Sequence, residues 1–384
     1  MMKTKEELQS IADRKIQNQR LAWQEFQEKK SYAESLPFKY ILELTQNCNF
    51  KCVMCPQSYD PRFKNYDKSF NMELELFSKI LEQVGPYASF VDLRGFGEST
   101  ILPYWPSIVD KLEDYPLTEW HLVTNLSLTK KETWTKMMDL GFSLGVSFDG
   151  AVKETFEGIR KRARFEVILE NLELVASRMH EKHSGYVYLI CTMQSLNFKE
   201  MRGIVEIAAR LKVPEVQFKI VQGGINCLTK VPQDELQKAS REALDLALEK
   251  KVKVNFNDWR FTAGIPPELL EKANSEWYDR AAHPLSHYFN SEDKKLQSMI
   301  TNSSRVSVNK SCFKPLSFMY VNYKGEAGTC NHMMYPDMLV MGDFHKQDLK
   351  DIWNSPDYQK FREGLVTNAP ADPRCQWCFK HRME

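Results

Sequence analysis

The sequence predicts an α/β protein: a partial, six-stranded TIM-like (β/α)6 barrel followed by a small α+β domain. Three observations carry this. From residue 40 onward, short apolar runs alternate with helical patterns, which argues for βα units and a parallel sheet. A length of 384 residues accommodates one large domain and a smaller one. The nine cysteines fall into a tight group after the first apolar run, a second set near the carboxyl end, and two others.

In chain order, residues 3–35 carry a charged, Gln-rich helical pattern with Leu8, Ile11, Ile16, Leu21, Trp23 and Phe26 as apolar members. This predicts a helix on the outside of the domain, within an N-terminal extension spanning 1–36. Strands are predicted at 40–44, 89–94, 119–124, 143–148, 186–193 and 215–221. Amphipathic segments near 73–85, 104–114, 130–140, 166–181 and 197–211 lie between them, each long enough for a right-handed crossover. These elements make a barrel domain of residues 37–227. Residues 228–311 break the repeat with a helical pattern at 232–250, a short run ending at Phe256, and a polar stretch. That region is expected to be a linker and lid, in which Asp258, Trp259, Arg260, Tyr278, His283, His287 and Tyr288 are mostly solvated surface. Residues 312–384 form the last domain, where the alternating run from Phe318, a Lys324-Gly325 turn and a return strand to Thr329 predict a hairpin.

Lys and Arg number 52 against 51 Asp and Glu, a net charge of +1, which leaves no global electrostatic footprint for nucleic acid or an anionic membrane. A small-molecule or peptide substrate is favoured. No apolar run approaches the roughly 20 residues needed to span a bilayer, and the first thirty residues are too charged for a secretory signal. A cytoplasmic protein is expected, in which cysteines are ligands or reactive thiols rather than disulfides.

Their placement points to metal. Cys48-x3-Cys52-x2-Cys55 follows directly on the run Tyr40–Leu44, at a strand-to-loop junction. Thiolates select soft metals, and four are needed to close a tetrahedral zinc site or to ligate every iron of a cubane cluster. Three leave an open position, as catalytic metals have. On spacing alone a zinc loop with a distant fourth ligand stays open. The triplet resembles the signature of the radical S-adenosylmethionine (SAM) enzymes. That resemblance implies a 4Fe-4S cluster on Cys48, Cys52 and Cys55, SAM bound at its unique iron, cleavage to a 5′-deoxyadenosyl radical, and an external one-electron reductant such as flavodoxin or ferredoxin.

After the second run, Arg94-Gly95-Phe96-Gly97-Glu98 has two glycines that allow close backbone approach. It resembles the family's Gly-Gly-Glu motif, with Phe96 between the glycines, which implies that Gly95, Gly97 and Glu98 contact the SAM amino group. The third run ends in Thr124-Asn125 and the fourth in Ser147-Phe148-Asp149-Gly150. Such residues cap helices and shape turns; by the resemblance, Asn125 and Ser147 contact the ribose and methionyl carboxylate. The fifth run ends at Cys191 to Gln194, and the sixth leads through Lys219 to the segment Val221 to Cys227.

Cys312, Cys330, Cys375 and Cys378 supply four thiols, enough to close a metal site as zinc or as iron-sulfur. A cysteine before the hairpin, Gly325-x4-Cys330, the turn Gly342-Asp-Phe344, Asp351-Ile-Trp-Asn-Ser355 and a final Cys-x2-Cys resemble the SPASM/Twitch auxiliary domain of radical SAM enzymes. A full SPASM module has seven cysteines and two clusters; four match the single-cluster Twitch form, with separations like those of the butirosin-type aminocyclitol dehydrogenase group. Two 4Fe-4S clusters are therefore implied in all. The expected reaction is natural-product oxidation of a sugar or cyclitol secondary alcohol, with the auxiliary cluster as electron acceptor. One alternative is radical epimerisation of a sugar or peptide residue with Cys191 as hydrogen donor. In the blander reading Cys191 and Cys227 are apolar filler. An alternative of another class is a zinc-stabilised binding protein without catalysis.

Overall fold

The computed structural model describes residues 3–61, 68–221, 226–303, 312–334, 337–367 and 369–381. Among them run β1 (Lys39–Leu42), β2 (Lys51–Cys52), β3 (Phe90–Asp92), β4 (Glu119–Thr124), β5 (Ser143–Ser147), β6 (Arg160–Lys161), β7 (Tyr186–Met193) and β8 (Glu215–Ile220). They continue with β9 (Lys253–Phe256), β10 (Phe318–Val321), β11 (Glu326–Gly328) and β12 (Val340–Asp343). The main sheet has the order β12-β11-β10-β1-β3-β4-β5-β7-β8-β9, and β2 pairs only with β6. From β10 to β9 every neighbouring pair is parallel, the arrangement that βα crossovers impose. This is a TIM-like barrel sheet.

Helices form where apolar residues recur at helical spacing. Leu74–Val84 buries Leu76, Phe77, Ile80, Leu81 and Val84, and Met201–Arg210 buries Met201, Ile204, Val205 and Ala208. The strands divide their side chains with period two. On β7, Val187, Leu189, Cys191 and Met193 lie in the main apolar core, whereas Tyr188 and Thr192 stay partly open on the other, concave face.

One expectation is corrected. Residues 228–311 do not simply break the repeat: helix Gln233–Lys250 packs on Met201–Arg210, and β9 pairs with β8 from Glu215↔Lys253 to Phe218↔Phe256. A seventh βα strand results. The expected hairpin of β10 and β11 joins the main sheet, where β10 pairs with β1 from Lys39↔Phe318 to Leu42↔Val321, covering an edge that would otherwise expose unpaired backbone groups. Two residues of the polar stretch are held at the opposite end of the sheet from the cysteine loop. Arg280 bonds Glu119 (2.8 Å), and His283 Nε2 lies 2.9 Å from Ser89 O, both at the end where strands begin. The N-terminal helix Lys5–Gln27 seals that end too: Lys15 Nζ donates to Ala88 O and Thr118 Oγ1, and Asn18 exchanges two bonds with the Leu36 backbone. Residues 222–225 of the segment after the sixth run lie outside the described residues. No described helix is long and apolar enough to cross a membrane.

Candidate active site and metal centres

At the strand tips, the loop carrying Cys48, Cys52 and Cys55 rests on the turn after β3. Gly97 N donates to Thr45 O (3.2 Å) and Glu98 N to Asn47 O (2.8 Å). A Cβ on Gly97 would sit 2.4 Å from Asn47 O, and one on Gly95 2.2 Å from Glu43 Cγ. The glycines therefore serve close approach to the cysteine loop's own backbone and to Glu43.

Glu98 is held by neighbouring elements of the protein itself. Its carboxylate is buried and accepts from Thr100 Oγ1 (2.7 Å), Thr124 Oγ1 (2.8 Å) and Asn125 N (2.6 Å). Burial raises its pKa, against the pull of these bonds. The side chain ties the turn after β3 to the tip of β4. Asn125 then reaches the cysteine loop, with Nδ2 donating to Asn49 Oδ1 (2.8 Å) and lying 3.9 Å from Cys48 Sγ. Ser147 ends β5 half-buried on the concave side. Cys191 is not brought to this site: it is 0% exposed, on the closed face between Leu189 and Met193, and burial holds its thiol well above the usual range.

Sequence reasoning missed Arg160. The antiparallel pairing of β2 with β6 sets it opposite Cys52. Its Nη1 lies 3.8 Å from Cys52 Sγ, and its Nη2 2.7 Å from Asp149 Oδ2. Burial alone would lower its pKa; Asp149 and Cys52 outweigh burial and raise it. No local signal marked this residue. A second missed group is a polar chain on the concave face. Asp92 Oδ2 lies 2.8 Å from Arg94 Nε and 2.9 Å from His121 Nδ1, and His121 Nε2 lies 2.9 Å from Tyr188 OH. Polar residues at alternate positions inside apolar runs were its available signature.

The second set comes together: Cys312, Cys330, Cys375 and Cys378 line one pocket with Lys314, His332, Met333 and Arg374. Cys330 Sγ accepts from His332 N (3.4 Å) and lies 3.9 Å from Lys314 Nζ. Burial pushes Cys312 up to about 11 and Cys375 up to about 12, with Cys330 adding to both. In the first set, burial pushes Cys48 up to about 12, and Glu98, Cys52 and Cys55 add to it. Buried thiols grouped this way ionise only around a cation, which is what soft-metal binding supplies. A cubane spreads its thiolates around four irons, and four cysteines around one pocket fit such a cluster.

A parallel barrel sheet with a three-cysteine loop at its tips and a four-cysteine pocket beside it defines a protein built for two iron-sulfur centres. The chain carries a radical SAM superfamily domain, matched over residues 42–208, and an iron-sulfur cluster-binding SPASM domain, matched over 312–379. SAM, a 4Fe-4S cluster and auxiliary iron-sulfur binding are the cofactors these domains imply. The chain is 26% identical over 239 residues to the Fe-coproporphyrin III synthase of Methanosarcina barkeri, covering 61% of this chain and 55% of that protein. It is 21% identical over 368 residues to the tungsten-containing aldehyde ferredoxin oxidoreductase cofactor-modifying protein of Pyrococcus furiosus, covering 88% and 87%. Among solved structures, Streptococcus suis SuiB shares the fold with a TM-score of 0.59 at 13% identity, covering 91% of this chain and 72% of that chain. His-tagged anSMEcpe with bound AdoMet does so with a TM-score of 0.57 at 16% identity, covering 90% and 84%. SuiB has also been solved with its precursor peptide SuiA, and anSMEcpe with the Cp18Cys peptide.

Proposed function

We propose that the protein oxidises a polar substrate on the concave face of the barrel. When bound, SAM and the two clusters supply a 5′-deoxyadenosyl radical that takes a hydrogen atom from a substrate carbon, and an acceptor for the second electron. Cys48, Cys52 and Cys55 would hold the first cluster, and Arg160 beside Cys52 would offset thiolate charge. Gly95, Gly97, Asn125 and Ser147 would flank SAM, and Glu98 holds the strand tips in register through Thr124 and Asn125. In oxidation of a secondary alcohol, the hydroxyl proton passes to the Tyr188–His121–Asp92 chain. An external one-electron donor such as flavodoxin or ferredoxin starts each cycle.

The observation that carries this reading is the four-cysteine pocket. Four protein thiols saturate one cubane, leaving no iron for substrate, so electron acceptance is the role open to it. A sugar or cyclitol alcohol is the first substrate reading. A peptide side chain is the second, supported by the peptides held by two proteins of similar fold. Epimerisation through Cys191 is not put forward, because that thiol is enclosed by the core. The test is anaerobic incubation of reconstituted protein with sugar, cyclitol and peptide candidates, read by mass spectrometry for loss of two hydrogens. Cys330→Ala should still release 5′-deoxyadenosine but make at least about tenfold less oxidised product. Equal product from the variant would overturn the acceptor role.

A further inference from the structure

We propose that Arg94 and Lys219 form an anion-binding subsite on the concave face, which takes a carboxylate or phosphate group of the substrate. Lys219 lies one residue from the end of β8, in register with Thr192 on β7, and shares the partly open face with Tyr188 and Gln217. It is half-buried, and among the described residues it has no hydrogen-bond or ion-pair partner. Burial and then the positive charge of Arg94 lower its pKa, and only Glu215 opposes them. Arg94, through Asp92, His121 and Tyr188, and Lys219, through Thr192 beside it, belong to the same concave face of the sheet.

Arg94 is set up to share a ligand. Its Nε is anchored on Asp92 Oδ2 at 2.8 Å and its backbone N donates to Asp92 Oδ1 at 3.2 Å, while both Nη groups are unpaired among the described residues. Asp92 Oδ2 is itself shared with His121 Nδ1 at 2.9 Å. An anchored guanidinium with two free Nη groups is the geometry that grips a carboxylate or phosphate with two parallel bonds. A half-buried ammonium without a counter-ion is costly until an anion arrives. The pair also lies next to the chemistry, since Arg94 directly precedes the Gly95–Glu98 turn that carries the cysteine loop. The inference rests on the proposed reading only in placing the substrate on this face.

The test is calorimetric titration of the anaerobic, SAM-saturated holoprotein with inorganic phosphate and, separately, acetate. Binding of phosphate, acetate or both is expected, and the stronger one identifies the group the substrate carries. Lys219→Met should weaken that binding by about tenfold or more, and Lys219→Arg should restore most of it. Iron content and SAM binding of each variant report an intact fold. Wild-type crystals soaked in selenate should show its anomalous signal between Arg94 and Lys219, a readout independent of any substitution. Absence of binding, or equal affinity in Lys219→Met, would each overturn the subsite. The titration needs no turnover, so failure of the oxidation reading leaves its outcome unaffected.

Discussion

Replacing Glu98 by Gln distinguishes a carboxylate that grips the cofactor from one that locks the strand tips. The wild-type side chain accepts three short bonds, from Asn125 N (2.6 Å), Thr100 Oγ1 (2.7 Å) and Thr124 Oγ1 (2.8 Å). In Glu98→Gln the new side chain could keep its carbonyl on Asn125 N and turn its amide toward the two hydroxyls, so shape survives and charge is lost. Charge-assisted bonds are worth about 1.5–3 kcal/mol and neutral ones about 0.5–1.5, a loss of roughly 1 kcal/mol per bond. Burial, which raises the pKa of Glu98, returns part of this, because a glutamine carries no charge to desolvate. The net expectation is a loss of about 1–3 kcal/mol in unfolding free energy. SAM affinity should fall by less than about tenfold, through displacement of Asn125 alone. Anaerobic denaturant unfolding and SAM titration of the same preparations measure both. Unchanged stability with a larger loss of SAM affinity would show that the carboxylate acts on the cofactor, and the locking argument would fail.

Further outcomes are expected elsewhere. Burial raises Glu43 from 4.5 to about 7 despite bonds from Tyr320 OH, Phe96 N and Gln46. The folded state therefore holds this proton more tightly, and its contribution of about 3 kcal/mol is present below pH 4.5 and lost as pH rises through about 7. Glu43→Gln should flatten the fall in unfolding free energy across that window, and parallel wild-type and variant curves would refute it. Arg160→Met leaves Asp149 buried without its 2.7 Å partner and should cost about 3–5 kcal/mol in chemical denaturation. Replacing Cys48, Cys52 and Cys55 with Ala should remove half of about eight irons and all SAM cleavage, whereas stoichiometric zinc in the wild type would contradict iron-sulfur ligation. Cys191→Ala should cost about 1–2 kcal/mol of stability and leave product formation intact; loss of product with continued SAM cleavage would restore the thiol-donor reading.

Much of the fold was legible because local periodicity is a property of the chain itself. The runs at 119–124 and 186–193 appear as β4 and β7 with the same bounds, since apolar, β-branched and aromatic residues suit a sheet buried on one face or both. Cysteine spacing was equally local: three thiols within eight residues identify a soft-metal loop before any folding is considered. Lys253–Phe256 was too short to be assigned to the barrel, and only packing of Gln233–Lys250 on its neighbour adds it to the sheet.

By itself, then, the sequence determined the βα repeat, the two cysteine sets and the chemistry that thiols at such spacings support. Tertiary structure decided which face each strand residue meets. Cys191 and Thr192 are adjacent in the chain, yet one is sealed in the core and the other opens to the concave side. It also decided that Arg160, remote in sequence, stands opposite Cys52, and that β10 from the last domain completes the edge beside β1. Such juxtapositions arise from strand register and the burial of unpaired edges, which depend on where distant segments fold and leave no spacing signal in the chain.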